Sequence, residues 1–320
     1  MTNDKNIKQD TELDDDEKIV EDGKVINRCD DYDQKDLNKV YAVAKRKKVT
    51  SWIFVMILAI IWLFVALIPF LFMVLTGFKQ KLETIMYGAF HLPEKIFTKN
   101  YLDVITDPNF WIYFRNSVIV LALSLIILLF ISACAAYPLS RFRFKMRKPI
   151  YMLIVALMSV PIHVTMIPIF QLTIGMGLYD TIWALIPVNV AFALPISVFI
   201  LVGFMEGIPR DLEEAADIDG CSKYKRFFKV ILPLSVPGLS TLAIYNGVNI
   251  WNEFIFAFTL TQSNENRTLP LALWNYQGQY ASNTAMIMAC LTLSVLPMII
   301  LFIIMQDKLV KGMMAGAVKG

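Results

Sequence analysis

The stretch "GIPRDLEEAADIDGCSKYKRFFKVILPLSVPG", Gly207 to Gly238, is densely charged in a 320-residue chain that is 57% hydrophobic. It separates two long apolar runs, and its charge is divided: acidic through Asp219, basic from Lys223 to Lys229. Pro209 suits a first helical turn, where Asp211, Glu213 and Glu214 complement the positive helix N-terminus. At about 100° per residue, Leu212, Ala215 and Ala216 share a small-residue face, with Glu213, Glu214 and Asp217 on the other side. Gly220 falls where a left-handed turn ends the helix. Ser222 then caps a second helix, on which Tyr224, Phe227, Phe228 and Ile231 make an aromatic stripe flanked by Lys223, Lys225, Arg226 and Lys229. Such a basic amphipathic helix lies in the inner membrane interface, and Pro233 ends it. The pair predicts an acidic knob held rigidly below the bilayer and offered to a cytoplasmic protein; the plainer alternative is a solvated connector.

Outward from the hairpin, the apolar residues come in blocks, and the mean hydropathy of +0.55 excludes an ordinary soluble domain. Six blocks run roughly Trp52–Thr76, Ser117–Ala136, Ile150–Met176, Thr181–Met205, Leu234–Phe258 and Ala281–Met305. None holds a Lys, Arg or Asp, and only the fifth holds a Glu. Each can cross a hydrocarbon layer of ~30 Å, and in lipid only a helix satisfies its own backbone. The fold class expected is an all-α polytopic membrane protein with six transmembrane helices. Residues 1–50 read as an acidic, disordered cytoplasmic tail with a basic juxtamembrane end, 51–305 as the membrane domain with a hairpin loop at 206–233, and 306–320 as a cytoplasmic tail. Lys45–Lys48, Arg141–Lys148 and Lys223–Lys229 cluster on one side, so the positive-inside rule puts the hairpin and both termini in the cytoplasm. The first apolar run is too long for a signal-peptide core. Interior prolines (Pro69, Pro161, Pro168, Pro187, Pro195, Pro237, Pro297) either kink the packing or curve the bundle around a cavity.

The fifth block contains "YNGVNIWNEF", Tyr245 to Phe254. Asn246, Asn249 and Asn252 fall nearly on one face, and Glu253 must face protein or water rather than lipid. Hydrogen bonding between helices and the lining of a polar translocation path are both open to these four residues. The 261–283 loop offers Trp274, Tyr276 and Gln279, aromatic and amide side chains that suit anchoring at the membrane surface. Cys29, Cys134, Cys221 and Cys290 have no paired spacing and read as reduced thiols or apolar fillers. With only His91 and His163 there is no metal spacing, and His163 is expected to hydrogen-bond inside the bundle. No Gly-x-x-x-x-Gly-Lys-[Ser/Thr] loop occurs, so the phosphate-cradling loop needed for ATP is absent from this sequence. No cofactor and no nucleic-acid partner are expected, and the chain offers no catalytic constellation.

The segment "EAADIDGCSKYKRFFKVILP" resembles the EAA loop of binding-protein-dependent ABC importers, with Glu214, Ala215, Ala216, Gly220, Leu232 and Pro233 matching and Val230 in place of Ile. From about Ser51 onward, "AAYPLSRFRFK", "VPIHVTMIPIFQLTIGMGLYDT", "WNEF", "TLPLALWNYQGQY" and "GAVKG" are similar to carbohydrate-importer permeases of the MalG type. The resemblance implies a type I ABC importer permease of the bacterial cytoplasmic membrane, with 206–233 as the coupling loop. It implies as partners a second homologous permease, a cytoplasmic ABC ATPase dimer and an extracellular or periplasmic sugar-binding protein. It assigns ATPase coupling to Glu213, Glu214, Ala215, Ala216, Asp219, Gly220, Leu232 and Pro233, and binding-protein contact to the loop of Trp274, Tyr276 and Gln279. The C-terminal "LVKGMMAGAVKG" would reach toward the ATPase. A permease for another small polar solute, or an ion-coupled secondary transporter, is the alternative.

Overall fold

The computed structural model describes residues 18–21, 24–27, 34–87, 91–271, 273, 274 and 283–317. They fall into two units, Met1–Pro69 and Phe70–Gly320. In the first, β1 (Lys18–Glu21) and β2 (Lys24–Asn27) pair antiparallel, Val20 opposite Val25. These eight residues lie inside the segment expected to be disordered; the β-branched pairs Ile19–Ile26 and Val20–Val25 supply local strand preference that mean composition hides. Helix α1 (Gln34–Gly77) starts well before Trp52 and runs on into the second unit, with Trp52, Phe54, Trp62 and Phe64 all exposed.

The second unit is helical: α2 (Lys81–Tyr87), α3 (Lys99–Thr106), α4 (Pro108–Arg141), α5 (Arg147–Leu157), α6 (Met166–Gly175), α7 (Leu185–Glu206), α8 (Asp211–Ile218), α9 (Lys223–Arg226), α10 (Leu232–Leu234), α11 (Val236–Trp251), α12 (Ile255–Leu260) and α13 (Thr284–Ala317). Among the described residues, four helices are long and apolar enough to cross a membrane, and two bent pairs bring the number to six. The six-span expectation therefore holds by length and composition, but two spans are broken. The third block bends by 91° between α5 and α6, where Pro161 removes a donor and steers Val160 away from helical geometry. The fifth bends by 67° at Ser235. Pro233 and Pro237 flank that bend, and neither can donate to the carbonyl four residues back. The chain breaks again at Asn252–Phe254. The last helix also runs through Ala317, so most of the 306–320 segment is helical.

Helices α4 and α7 form the main seam. On α4, Ser124, Leu128, Ser132, Ala136 and Ser140 recur every fourth residue, and all are buried. Small residues at that spacing let two backbones approach where lipid gives no hydrophobic drive. Around the seam pack Tyr137, Leu201, Met205, Phe227 and Ile231. Asn246 on α11 donates to Ser197 Oγ on α7 at 3.0 Å, and Trp251 Nε1 donates to the Ser294 carbonyl of α13 at 3.2 Å. Close approach recurs between α7 and α11: a Cβ on Gly238 would stand 2.8 Å from Phe204 Cγ.

At the end of the bundle opposite the hairpin, Asp180 acts as a clasp. It adopts a positive φ of 57°, a conformation Asp tolerates better than most residues. One carboxylate oxygen accepts the Gln262 and Ser263 amides at 2.7 and 2.8 Å, and the other accepts the Ser263 hydroxyl. Asn116 reinforces the same loop by donating to the Glu265 and Arg267 carbonyls at 2.7 and 2.9 Å. Burial pushes the Asp180 carboxyl up, but the Ser263 and backbone hydrogen bonds outweigh it and hold the group below its ordinary value of 3.8. A depressed folded-state pKa contributes stability that is present above the ordinary value and is lost as pH falls through the folded one. Asp180→Asn keeps a residue suited to positive φ and removes only the charge. It should melt below the wild type at neutral pH, with the gap closing below about pH 4 as both carry a neutral side chain. Melting curves of both forms across that range check this, and a gap that persists to about pH 2 contradicts it.

Candidate functional site

The charged hairpin is built as two linked turns. Helix α8 ends in a Schellman arrangement: Gly220, at φ +72°, donates to the Asp217 carbonyl at 3.0 Å and Cys221 to that of Ala216 at 2.9 Å. Ser222 then caps α9, its hydroxyl accepting from the Lys225 amide at 3.4 Å. Both turns follow the sequence reading.

The faces do not. Glu213 and Ala216 are buried, whereas Leu212, Ala215 and Ile218 face outward, Ile218 with 87% of its surface exposed. Glu213 is held by a cation pair: Arg141 Nε, at the end of α4, lies 2.7 Å from its Oε1, and Arg226 Nε lies 3.6 Å from its Oε2. A carboxylate with two buried guanidinium partners turns inward, and that rotates the helix so that its apolar residues point out. Of the residues assigned to coupling, Glu214, Ala215, Asp219 and Gly220 are thus exposed at the tip, while Glu213 and Ala216 belong to its base. Leu232 is half-buried against the main core cluster and Pro233 is exposed, both in α10 at the membrane end of the hairpin.

The aromatic stripe is also divided. Phe227 and Ile231 are buried, but Phe228 is half exposed and Tyr224 is 81% exposed. The cause is a π turn over Phe227–Ile231, in which the Leu232 amide donates back to the Phe227 carbonyl. Its extra residue per turn breaks the 3.6 phase on which the stripe was drawn. Arg226, read as a flanking lipid-facing cation, is instead buried and tied to Asp217 and the Tyr137 hydroxyl.

A second feature lies at the break in the fifth span. A cavity of about 500 Å³ is lined by Asn189 and Phe192 of α7, Tyr245, Asn246 and Asn249 of α11, and Asn252, Glu253 and Phe254 of the break. The four residues expected to line a polar path are therefore brought together, with Asn189 and Tyr245 added. Asn246 also fulfils the alternative reading, since its amide is spent on Ser197 and on the Leu242 carbonyl, both at 3.0 Å. Asn249 and Asn252 are exposed and donate to the carbonyls of Tyr245 and Val248 at 2.9 Å, leaving each amide oxygen to the cavity. The two Glu253 oxygens accept the Phe256 and Ala257 amides at 2.7 and 3.0 Å, so the carboxylate caps the chain where it resumes as α12. Among the described residues lining the cavity there is one carboxylate and no Lys, Arg or His. His163, expected to hydrogen-bond inside the bundle, is exposed in the 162–165 turn. Trp274 is exposed, its ring centroid 6.1 Å from that of Phe254; Tyr276 and Gln279 lie outside the described residues.

The residues missed by sequence reasoning are Arg141, Tyr137 and Arg226 around Glu213, and Asn189 and Tyr245 in the cavity. Tyr137 and Arg141 continue the every-fourth-residue order of α4 one position out of step with the small seam, which was a readable signal. The pairing of Arg226 with Asp217 depends on the tightness of the hairpin and had none.

Residues 127–315 match the family model described as binding-protein-dependent transport system inner membrane component. The chain is similar to an ABC transporter permease protein of Caldicellulosiruptor sp. (strain Rt8B.4), at 48% identity over 274 residues covering 86% of this chain and 98% of that one. It is similar to the trehalose/maltose transport system permease protein MalG of Thermococcus litoralis, at 33% identity over 278 residues covering 86% and 99%. Among solved structures, its fold matches a chain of a bacterial ABC transporter involved in the import of the acidic polysaccharide alginate, with TM-score 0.69 and 22% identity over 86% of this chain and 98% of that one.

The two alanines of α8 separate the base of the hairpin from its tip. Ala216→Leu overfills a buried contact and should cost about 1–3 kcal/mol. Ala215→Leu, on the exposed face, should stay within about 0.5 kcal/mol of the wild type. Thermal unfolding of the purified variants checks the order, and equal losses would contradict the orientation of α8.

Proposed function

Since the chain belongs to the family of binding-protein-dependent transport system inner membrane components, we propose that it is a sugar- or oligosaccharide-carrying permease subunit of an ATP-driven ABC importer. It pairs with a second, homologous permease, receives its solute from an extracellular sugar-binding protein, and leaves ATP hydrolysis to a cytoplasmic ATPase dimer. Both termini and the hairpin lie in the cytoplasm, as the clustering of Lys and Arg there favours. The tip of α8, with Glu214, Ala215, Ile218, Asp219 and Gly220, seats in the ATPase, and its inward or outward movement opens the path to one side or the other.

The observation that carries this reading is the orientation of α8. A short helix that hides its first glutamate and presents Leu212, Ala215 and an almost wholly exposed Ile218 has the form of an anchor awaiting a cleft. The solute path runs along the cavity at the break in the fifth span, where Asn249, Asn252 and Tyr245 offer hydrogen bonds and Phe192 and Phe254 offer flat apolar faces. Neutral hydroxylated solutes suit such a wall. The alginate importer carries an acidic polysaccharide, and a wall whose described residues include one carboxylate and no cation favours uncharged sugars here. An ion-coupled carrier would need a carboxylate able to bind and release its ion, and both Glu253 oxygens are engaged by backbone amides.

Two measurements test the proposal. Sugar uptake by cells or vesicles with ATP maintained should persist after a protonophore collapses the proton gradient; loss of uptake there overturns it. Ala215→Trp should place a bulky ring on the docking face, so that the permease remains in the membrane while ATPase co-purification and uptake fall at least about tenfold, the scale of losing one interface anchor. Retention of both would contradict the assignment of the tip.

A further inference from the structure

Arg141, Arg226, Glu213 and Asp217 are two cations and two anions gathered where α8 meets α4. Arg141 is the last residue of α4, and its side chain is 4% exposed. While its Nε pairs with Glu213 at 2.7 Å, its Nη2 donates to the Ile208 carbonyl at 2.9 Å, so one guanidinium holds both α8 and the turn that leads into it. Arg226 pairs with Asp217 through Nη1, faces Glu213 Oε2 at 3.6 Å, and donates from Nε to the Tyr137 hydroxyl at 3.2 Å.

The spacing is what gives the group mechanical meaning. Glu213 and Asp217 are one turn apart on α8, and Tyr137 and Arg141 are one turn apart on α4. Two points of attachment on each rod prevent α8 from swivelling about either. Immediately after Arg226 the π turn sends Phe227 against Tyr137, ring centroids 5.0 Å apart, and Ile231 into the core. Stability alone does not call for this arrangement: the Asp217 side chain is 55% exposed, and a buried pair such as Arg141–Glu213 is often no better than apolar residues of the same volume. The Arg141–Glu213 contact is a close ion pair whose Nε–H is not aligned as a hydrogen bond, whereas Arg141 to Ile208 and Arg226 to Asp217 and Tyr137 are directed hydrogen bonds, and these resist shear better than apolar packing does.

We infer that this quartet is the rigid joint that passes motion of α8 into α4, and that Arg141 is its principal positioning residue; the inference rests on the coupling role proposed for α8. Force on the exposed tip then moves α4 rather than flexing the hairpin. The small-residue seam carries it to α7, and the Asn246–Ser197 hydrogen bond carries it to the α11 wall of the cavity.

The test uses the complete transporter, with partner permease, ATPase and binding protein, in proteoliposomes. Three quantities are read: ATPase bound per permease, ATP hydrolysed, and sugar imported per ATP. A merely structural role lowers assembly and leaves sugar per ATP unchanged in the complexes that form. For Arg141→Met and Glu213→Gln we expect ATPase retained and sugar per ATP reduced about tenfold, within the roughly 5- to 150-fold range of a coupling between two sites. Glu213→Gln is nearly isosteric and carries the test if Arg141→Met fails to assemble. The double variant R141M/E213Q leaves no unpaired charge between those two positions, so its melting temperature should recover while its coupling ratio does not. Unchanged sugar per ATP in the assembled variants, or recovery of both properties in the double variant, overturns the joint. Wild-type complex that imports no sugar on ATP overturns the coupling reading itself, an outcome distinct from intact wild-type import with unaltered variant ratios.

Discussion

Backbone groups in an apolar phase have no water to turn to, and the architecture of the second unit follows from how that requirement is met where the helices stop. Among the described residues, three interruptions fall in the apolar blocks, and each finds local hydrogen-bond partners. Between α5 and α6, Ser159, Val160 and Val164 donate to carbonyls three residues back, and the Thr165 hydroxyl bonds to the Ile162 carbonyl at 2.6 Å. Before α11, the π turn redirects the Leu232 amide and Ser235 bonds back to Ile231 through both its amide and its hydroxyl. At the third break Glu253 supplies both acceptors. The second and third breaks bound the wall of the cavity and the base of the hairpin, so the places where regular structure fails are also those to which function is assigned.

The same constraint applies to side chains, and the hairpin illustrates it. Charge that looks superficial on a helical wheel is partly internal, because the Arg141 side chain at the end of α4 is buried in the folded hairpin and needs an anion. Glu213 answers it, and the demand of one buried guanidinium thereby decides which side of α8 faces outward. The proposed docking surface is in that sense a by-product of neutralising a charge.

What could be read from the sequence was what depends on neighbours along the chain. The apolar blocks, the Gly220 turn, the Ser222 cap and the Asn–Glu cluster of the fifth block are local patterns, and each has its counterpart in the structure. The failures share another character. The inward turn of Glu213, the burial of Arg226 and the splitting of Phe227 from Phe228 all depend on partners or on a π turn, neither of which leaves a period in the sequence. Likewise the bend after Leu157 was only implied by Pro161, since a proline in a membrane helix is compatible with a gentle kink or a near right angle. The hairpin at Lys18–Asn27 was hidden for the opposite reason: acidic neighbours diluted eight residues of ordinary strand chemistry.

The contact between α7 and α11 has a further consequence. At Gly238 there is no room for even one methyl group while Phe204 keeps its ring in place, and Phe204 in turn fills a space that exists only because Gly238 has no side chain. Neither position can drift alone without opening a void or forcing the rods apart. Over evolutionary time the two should change as a pair, a bulkier residue on one rod arriving with a smaller one on the other, so the history of this joint would be written as correlated substitution rather than as invariance.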